Sequence, residues 1–213
     1  DPGKVHVIPW GANMESAPPA PTLAEARDHN RCRLLFVGVD WVEKGAAIAV
    51  ETLQSLRRDG IQAELTICGC TPPVELDLPG LTVIPFLDKR KPDELARLQA
   101  LYRDADFFLL PTRADSYGIA FCEASSYGAP SIGTATGGVP GVVTEGENGH
   151  LLPYSARGAD YAALIAAIYR DEERHRNLKK NSRRVFEERL NWDAWGTSAA
   201  ALINDLLASR KPH

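Results

Sequence analysis

The 213 residues are 44% hydrophobic and 24% charged, with a formal charge of −4, the make-up of a soluble globular chain long enough to bury a core. The weakly acidic balance gives no general pull toward nucleic acid or anionic membranes, so any anion chemistry has to come from a local site, and a small ligand is the expected partner. No apolar run approaches the roughly 20 residues needed to cross a bilayer, and no basic-then-apolar signal segment opens the chain, so the cytoplasm is the default location.

The chain starts abruptly at "DPGKVHVIPWG", without methionine, which reads as a processed or excised fragment of something larger. Residues 15–30, "ESAPPAPTLAEARDHN", read as a linker or exposed excursion. "RLLFVGV" at 33–39 is an apolar run ending a predicted strand, and 46–58 carries Ala47, Val50, Leu53 and Leu56 at helical spacing. The alternation repeats: strands at 63–69 and 81–86, a helix over 92–103, a strand at 106–111, a helix over 117–128 and a strand at 130–134. A glycine-rich turn, "ATGGVPG", covers 135–141, and "GHLLP" at 149–153 is the last strand. From 155 the chain reads as helical, with Leu164, Ile168, Leu178, Val185 and Phe186 between charged faces, and a final helix spans about 193–208. Short apolar runs without polar alternation, separated by helices, predict an α/β fold: a Rossmann-like parallel sheet with helices on both faces and additional C-terminal helices.

Cys32, Cys68, Cys70 and Cys122 form no CxxC pair, and the five histidines show no metal-ligand spacing. Reduced, buried thiols and no metal site are expected.

In an open parallel sheet, ligands bind where the carboxyl ends of strands feed helix N-termini. Three such loops stand out: "GVDWVEKGA" with Gly38, Lys44 and Gly45, "PTRADSYG" at 111–118, and "TATGGVPG". Free amides, helix dipoles and a lysine ammonium favour a phosphate or diphosphate there. Taken singly, each has a plainer reading: Lys44 as a surface lysine near a turn, Gly137-Gly138 as a tight turn, Asp115 as a helix cap. Neither GxGxxG nor GxxxxGK[ST] is present, so dinucleotide and P-loop fingerprints are absent. Glu123 is different, because Ile119, Ala120, Phe121, Cys122, Ala124 and Ser125 surround it on a helix buried nearly all round. A carboxylate there needs a partner or a ligand, and a vicinal diol, with two hydroxyl donors, would suit it.

Together, "GVDWVEKG", "PTRADSYGIAFCEASSYGAP" and "TGGVPGVV" resemble the C-terminal, nucleotide-binding domain of GT-B glycosyltransferases, in particular the retaining family 4, also called group 1. The resemblance covers about 32–196 and includes an acidic-x7-Glu pair, here Asp115 and Glu123. The opening "VHVIPWGAN" is similar to the family's strand at the junction of its two domains. The resemblance implies that Glu123 binds the ribose hydroxyls and Asp115 a hydroxyl of the transferred sugar. Ser116, Tyr117 and Gly118 would face the donor sugar and phosphates, with Gly38 in the loop whose Lys44 neutralises the diphosphate. Pro85, Phe86 and Leu87 would line the base. No cofactor or metal is implied, only a nucleoside-diphosphate sugar as donor substrate.

Departures from the family pattern are visible. Its arginine, five or six residues before the lysine, is replaced by Val39 and Gly38, with Arg113 the alternative cation; Asp115 is shorter than the usual Glu; and Gly141 stands where a Glu is common. A GT-B enzyme has two Rossmann-like domains, and one set of sheet elements is present. The expected layout is an interdomain strand and linker at 1–30, a nucleotide-sugar-binding domain at 31–190, and a C-terminal helix at 191–213 packing toward an N-terminal acceptor-binding domain. The chain is therefore read as a donor-binding half, inactive alone. The competing readings are a nucleotide-binding module without transfer chemistry and the donor half of a sugar-nucleotide epimerase.

Overall fold

The computed structural model describes residues 5–14, 17–19 and 31–209. Six strands form one parallel sheet: β1 (Cys32–Val37), β2 (Ala63–Cys68), β3 (Leu81–Ile84), β4 (Phe107–Leu110), β5 (Ser131–Thr134) and β6 (Gly149–Leu152). Their order is β3-β2-β1-β4-β5-β6, so the chain starts in the middle, works to one edge, then returns to build the other half. Every residue of β4 and β5 is buried, which requires cover on both faces and explains why these runs show no polar alternation.

The cover comes from α1 (Ala46–Arg58), α2 (Pro92–Asp104), α3 (Ile119–Ser126), α4 (Gly158–Tyr169) and α5 (Glu172–Arg189). α1 buries Ala46, Ala49, Leu53 and Leu56 at a helical repeat, and α4 lies directly against it. The approach is close: a Cβ on Gly158 would sit 2.2 Å from the Cβ of Glu51. Asp171 separates α4 from α5, its carboxylate accepting from the amide of Arg174 at 3.0 Å as an N-cap. The helical stretch predicted from 155 is therefore two helices. A final helix, α6 (Trp192–Ser209), follows. No described helix is long and apolar enough to cross a membrane.

Several predicted boundaries shift. β1 and β3 end two residues early, because the chain leaves the ladder into the ligand-side loops at Gly38 and Pro85. α3 starts at Ile119 rather than 117, since Gly118 adopts a left-handed φ of 95° that ends the preceding loop. The opening segment is not a strand: residues 5–12 join no ladder and are tied instead through the Ala12 amide to the Leu190 carbonyl at 3.0 Å. The predicted linker at 15–30 falls outside the described residues except for 17–19. All four cysteines are buried and unbridged, and burial pushes the thiols of Cys68 and Cys70 up to about 11.

Candidate functional site

The sheet reverses its winding between β1 and β4, and the loops that leave their carboxyl ends meet there. They are joined by backbone. The amide of Arg113 donates to the Glu43 carbonyl at 2.6 Å, and the Thr112 hydroxyl lies 3.1 Å from that same oxygen. Gly45, the left-handed N-cap of α1, permits the contact, since a Cβ on it would stand 2.0 Å from the Pro111 carbonyl oxygen. Gly38 performs a similar service on the other side, where a Cβ would meet Lys44 Cγ at 2.9 Å; its absence lets the lysine stem lie along the backbone.

Lys44 and Asp115, 71 residues apart in sequence, are brought together by this joint. The Lys44 ammonium donates to Asp115 Oδ2 at 2.8 Å and to the Ala114 carbonyl at 3.2 Å. The other oxygen, Oδ1, accepts from the Tyr117 amide at 3.2 Å. Both side chains retain a face toward solvent, at 22% and 14% exposure, so the pair is ordered yet reachable. The glycine-rich turn braces it from behind. The Gly138 amide donates to the Asp115 carbonyl at 3.1 Å, and Cβ atoms on Gly137 or Gly138 would stand 2.0 and 2.2 Å from the Asp115 and Ser116 carbonyl oxygens. Gly137-Gly138 is thus a close-approach element of the site rather than a free turn. Arg189 fixes the far end of that turn through the carbonyls of Gly141 and Val142. At Gly141 a side chain would meet open space.

Glu123 lies one turn along the neighbouring helix α3 and, as its apolar surroundings demand, has partners. Lys89 Nζ donates to Oε1 at 2.5 Å and the Tyr102 hydroxyl to Oε2 at 3.0 Å. Burial, and then the adjacent Glu123 carboxylate, push the Tyr102 phenol well above its ordinary range, so it remains a proton donor. Its ring stacks on Tyr127 with centroids 5.6 Å apart. The need for a partner is therefore met inside the chain.

Other predicted residues fall around these two centres. Ser116, Tyr117 and Gly118 form the turn between Asp115 and α3, and the Tyr117 hydroxyl reaches the Trp10 carbonyl at 3.0 Å. Pro85 and Phe86 are exposed just beyond β3, while Leu87 is buried beneath them. The Arg113 guanidinium lies over the Tyr154 ring at 3.5 Å and donates to the Tyr154 carbonyl. Lys89, Tyr102 and Tyr154 were not singled out by sequence reasoning. In "DKRKPDE", Lys89 looks like one charge among many, and only the demand of Glu123 for a cation pointed toward it.

No group of three His, Cys, Asp or Glu side chains suited to a metal gathers among the described residues. Two concavities share no residue with this rim: one of about 420 Å³ beside His150 and Arg174, another of about 670 Å³ between Met14 and Trp192.

Comparison with known proteins places these observations beside a family and its relatives. The family model described as "Glycosyl transferases group 1" matches residues 31–171. A D-inositol 3-phosphate glycosyltransferase of Xylanimonas cellulosilytica is 29% identical over 222 residues, covering 96% of this chain and 51% of the relative. Among solved structures, WaaG, a glycosyltransferase involved in lipopolysaccharide biosynthesis, superposes with a TM-score of 0.67 at 16% identity, over 93% of this chain and 56% of that one. Anabaena HepE in complex with UDP-glucose superposes with a TM-score of 0.64 at 15% identity, over 83% and 49%. The chain spans about half the length of the curated relatives it matches.

Proposed function

The chain belongs to the group 1 glycosyl transferases, and from that premise we propose that it is the donor-binding half of a retaining, metal-independent enzyme that moves a sugar from a nucleoside-diphosphate sugar to an acceptor. The observation that carries this reading is the Lys44–Asp115 pair, assembled where the winding of the sheet reverses and braced by Gly137 and Gly138.

In this reading Lys44 exchanges its bond to Asp115 for the diphosphate. Its ammonium and the N-terminal end of α3 then stabilise the charge that develops on the departing nucleoside diphosphate. Asp115, released, accepts from a hydroxyl of the transferred sugar. The amides of Ser116, Tyr117 and Gly118 face the sugar and phosphates, Gly38 lets the pyrophosphate approach the backbone, Glu123 takes the ribose diol, and Pro85, Phe86 and Leu87 flank the base. The UDP-glucose bound by HepE, a protein of the same fold, supports a sugar nucleotide as ligand. The partner domain would dock on exposed apolar side chains carried by the flanking segments, Val5, Val7 and Trp10 before the first strand and Ile203, Leu206 and Leu207 on α6. The reading keeps the division at 1–30, 31–190 and 191–213. The acceptor site belongs to that domain, so this chain alone binds donor and transfers nothing. A cytoplasmic setting fits such a donor.

The test is calorimetric titration of the chain with UDP-, GDP- and ADP-sugars, the free diphosphates and the nucleosides, alongside a transfer assay. Binding that requires the diphosphate, with no transfer, supports the reading. Affinity unchanged when the sugar is removed favours a nucleotide-binding module, and robust transfer by the chain alone overturns the half-site assignment.

A further inference from the structure

The donor-binding reading gives Glu123 a ribose to hold but leaves its cation without a task. The Glu123 side chain is 6% exposed, whereas Lys89, bonded to Oε1, is 38% exposed. The other donor, Tyr102, is buried. Of the two donors described on this carboxylate, only the ammonium therefore reaches solvent, and it occupies the side from which a ligand arrives.

The loop that carries Lys89 is pinned on both sides of it. The Asp88 carboxylate accepts from the Arg90 amide at 3.0 Å and from its guanidinium at 2.9 and 2.8 Å. Glu94 Oε2 accepts from the Asp88 amide at 2.6 Å. Freedom of movement lies in the lysine side chain, a flexible four-carbon stem ending in a strongly hydrated charge, rather than in the loop. An ammonium offers three N–H donors and a vicinal diol two O–H donors to the same acceptor, so each can stand in for the other on a carboxylate oxygen.

Resting on the assignment of Glu123 to the ribose, we propose that Lys89 is an internal competitor of the ribose diol: it occupies the diol acceptor of the empty site and is exchanged for the ribose hydroxyls when a nucleotide binds. A ligand with both hydroxyls replaces what the ammonium gave. A ligand without them leaves the ammonium in place and gains nothing from Glu123. The competition keeps the buried carboxylate paired while the site is empty and takes from a ribonucleotide part of what Glu123 would otherwise give it.

The experiment compares UDP, GDP and ADP with their 2′,3′-dideoxy counterparts on the wild-type chain, Lys89→Met, Lys89→Arg and Lys89→Met/Glu123→Gln, each checked for a cooperative melt. Lys89→Met keeps the aliphatic stem and removes the competitor. Relative to any change in the dideoxy ligand, ribonucleotide affinity should rise about three- to tenfold, and this gain should vanish in Lys89→Arg and in the double variant. Reductive methylation of Lys89 on the wild-type chain should become several-fold faster under saturating ribonucleotide, as the amine is released to solvent. A folded Lys89→Met with no diol-dependent gain, or a Lys89 amine protected by the ribonucleotide, overturns the proposal alone. A wild-type chain that binds ribo and dideoxy ligands equally, or neither, overturns the ribose assignment and the proposal with it.

Discussion

Two lysine–carboxylate pairs stand on the same rim of the sheet and are built in opposite ways. In Lys44–Asp115 the acid is carried by a loop, and its second oxygen is held by a backbone amide. In Lys89–Glu123 the acid is carried by the interior of α3, and its second oxygen is held by a buried phenol of α2. Removing a partner from the first leaves groups that water can reach; removing the acid from the second strands a buried hydroxyl. In the proposed reading, one kind of bond thus serves mainly binding at one place, and both binding and cohesion at the other.

The strongest way to break the comparison is to destroy the brace behind the loop pair. Gly137→Ala places a Cβ 2.0 Å from the Asp115 carbonyl oxygen at a φ of +53°. Overpacking and left-handed strain together should lower stability by about 2 to 5 kcal/mol in denaturant titrations. Gly141→Ala in the same turn meets open space and should cost less than about 1 kcal/mol.

Next in size is Glu123→Gln, which should lose about 1 to 3 kcal/mol of stability without ligand, because the amide replaces an acceptor with a donor facing Lys89 or Tyr102. Stability alone does not separate a structural from a ribose-binding glutamate; the ratio of ribo- to 2′-deoxynucleotide affinities does, and it should fall. Lys44→Ala, by contrast, should change the melting midpoint little, within about 1 kcal/mol. It should weaken diphosphate binding by about 1 to 3 kcal/mol while leaving nucleoside binding intact. Equal losses for both ligands would move Lys44 away from the phosphates.

The smallest effect lies in the loop under Lys89. Hydrogen bonds from the Arg90 side chain and amide lower the Asp88 carboxyl from 3.8 to about 2. A carboxyl lowered on folding adds stability above its unfolded value and loses it as pH falls toward the folded one. Asp88→Asn should therefore lower the melting temperature slightly at neutral pH and flatten its decline between about pH 4 and pH 2, where variant and wild type converge. An unaltered profile would mean that Asp88 does not tether the loop.

Most of the fold is legible in the sequence, since the runs that became β1 and β4 are short, apolar and bounded by charge, glycine or proline, and α1 repeats its apolar positions at helical spacing. The opening segment misled because "VHVIP" has strand composition but meets no sheet edge. At the site, the burial of α3 forced a partner on Glu123, yet its identity depended on tertiary geometry: Lys89 is 34 residues away and Tyr102 is 21. The sequence offers Arg113 as an alternative cation for the phosphates and gives no sign that Tyr154, 41 residues on, holds its guanidinium with ring and carbonyl. Spacing along the chain carries no information about such meetings.

The strand order also dictates how the chain has to assemble. β1 and β4 are neighbours in the centre of the sheet, with Leu34 opposite Phe107, and β2, β3, α1 and α2 lie between them in sequence. No hairpin shortcut exists in a parallel pair, so the central seam closes only after a loop of some seventy residues has been drawn in. The first half, β1 to β3, can gather around α1 early, whereas the all-apolar "FFLL" of β4 waits for a place. Folding should accordingly be slow for a chain of this size, with β4 the segment most exposed to misassociation on the way.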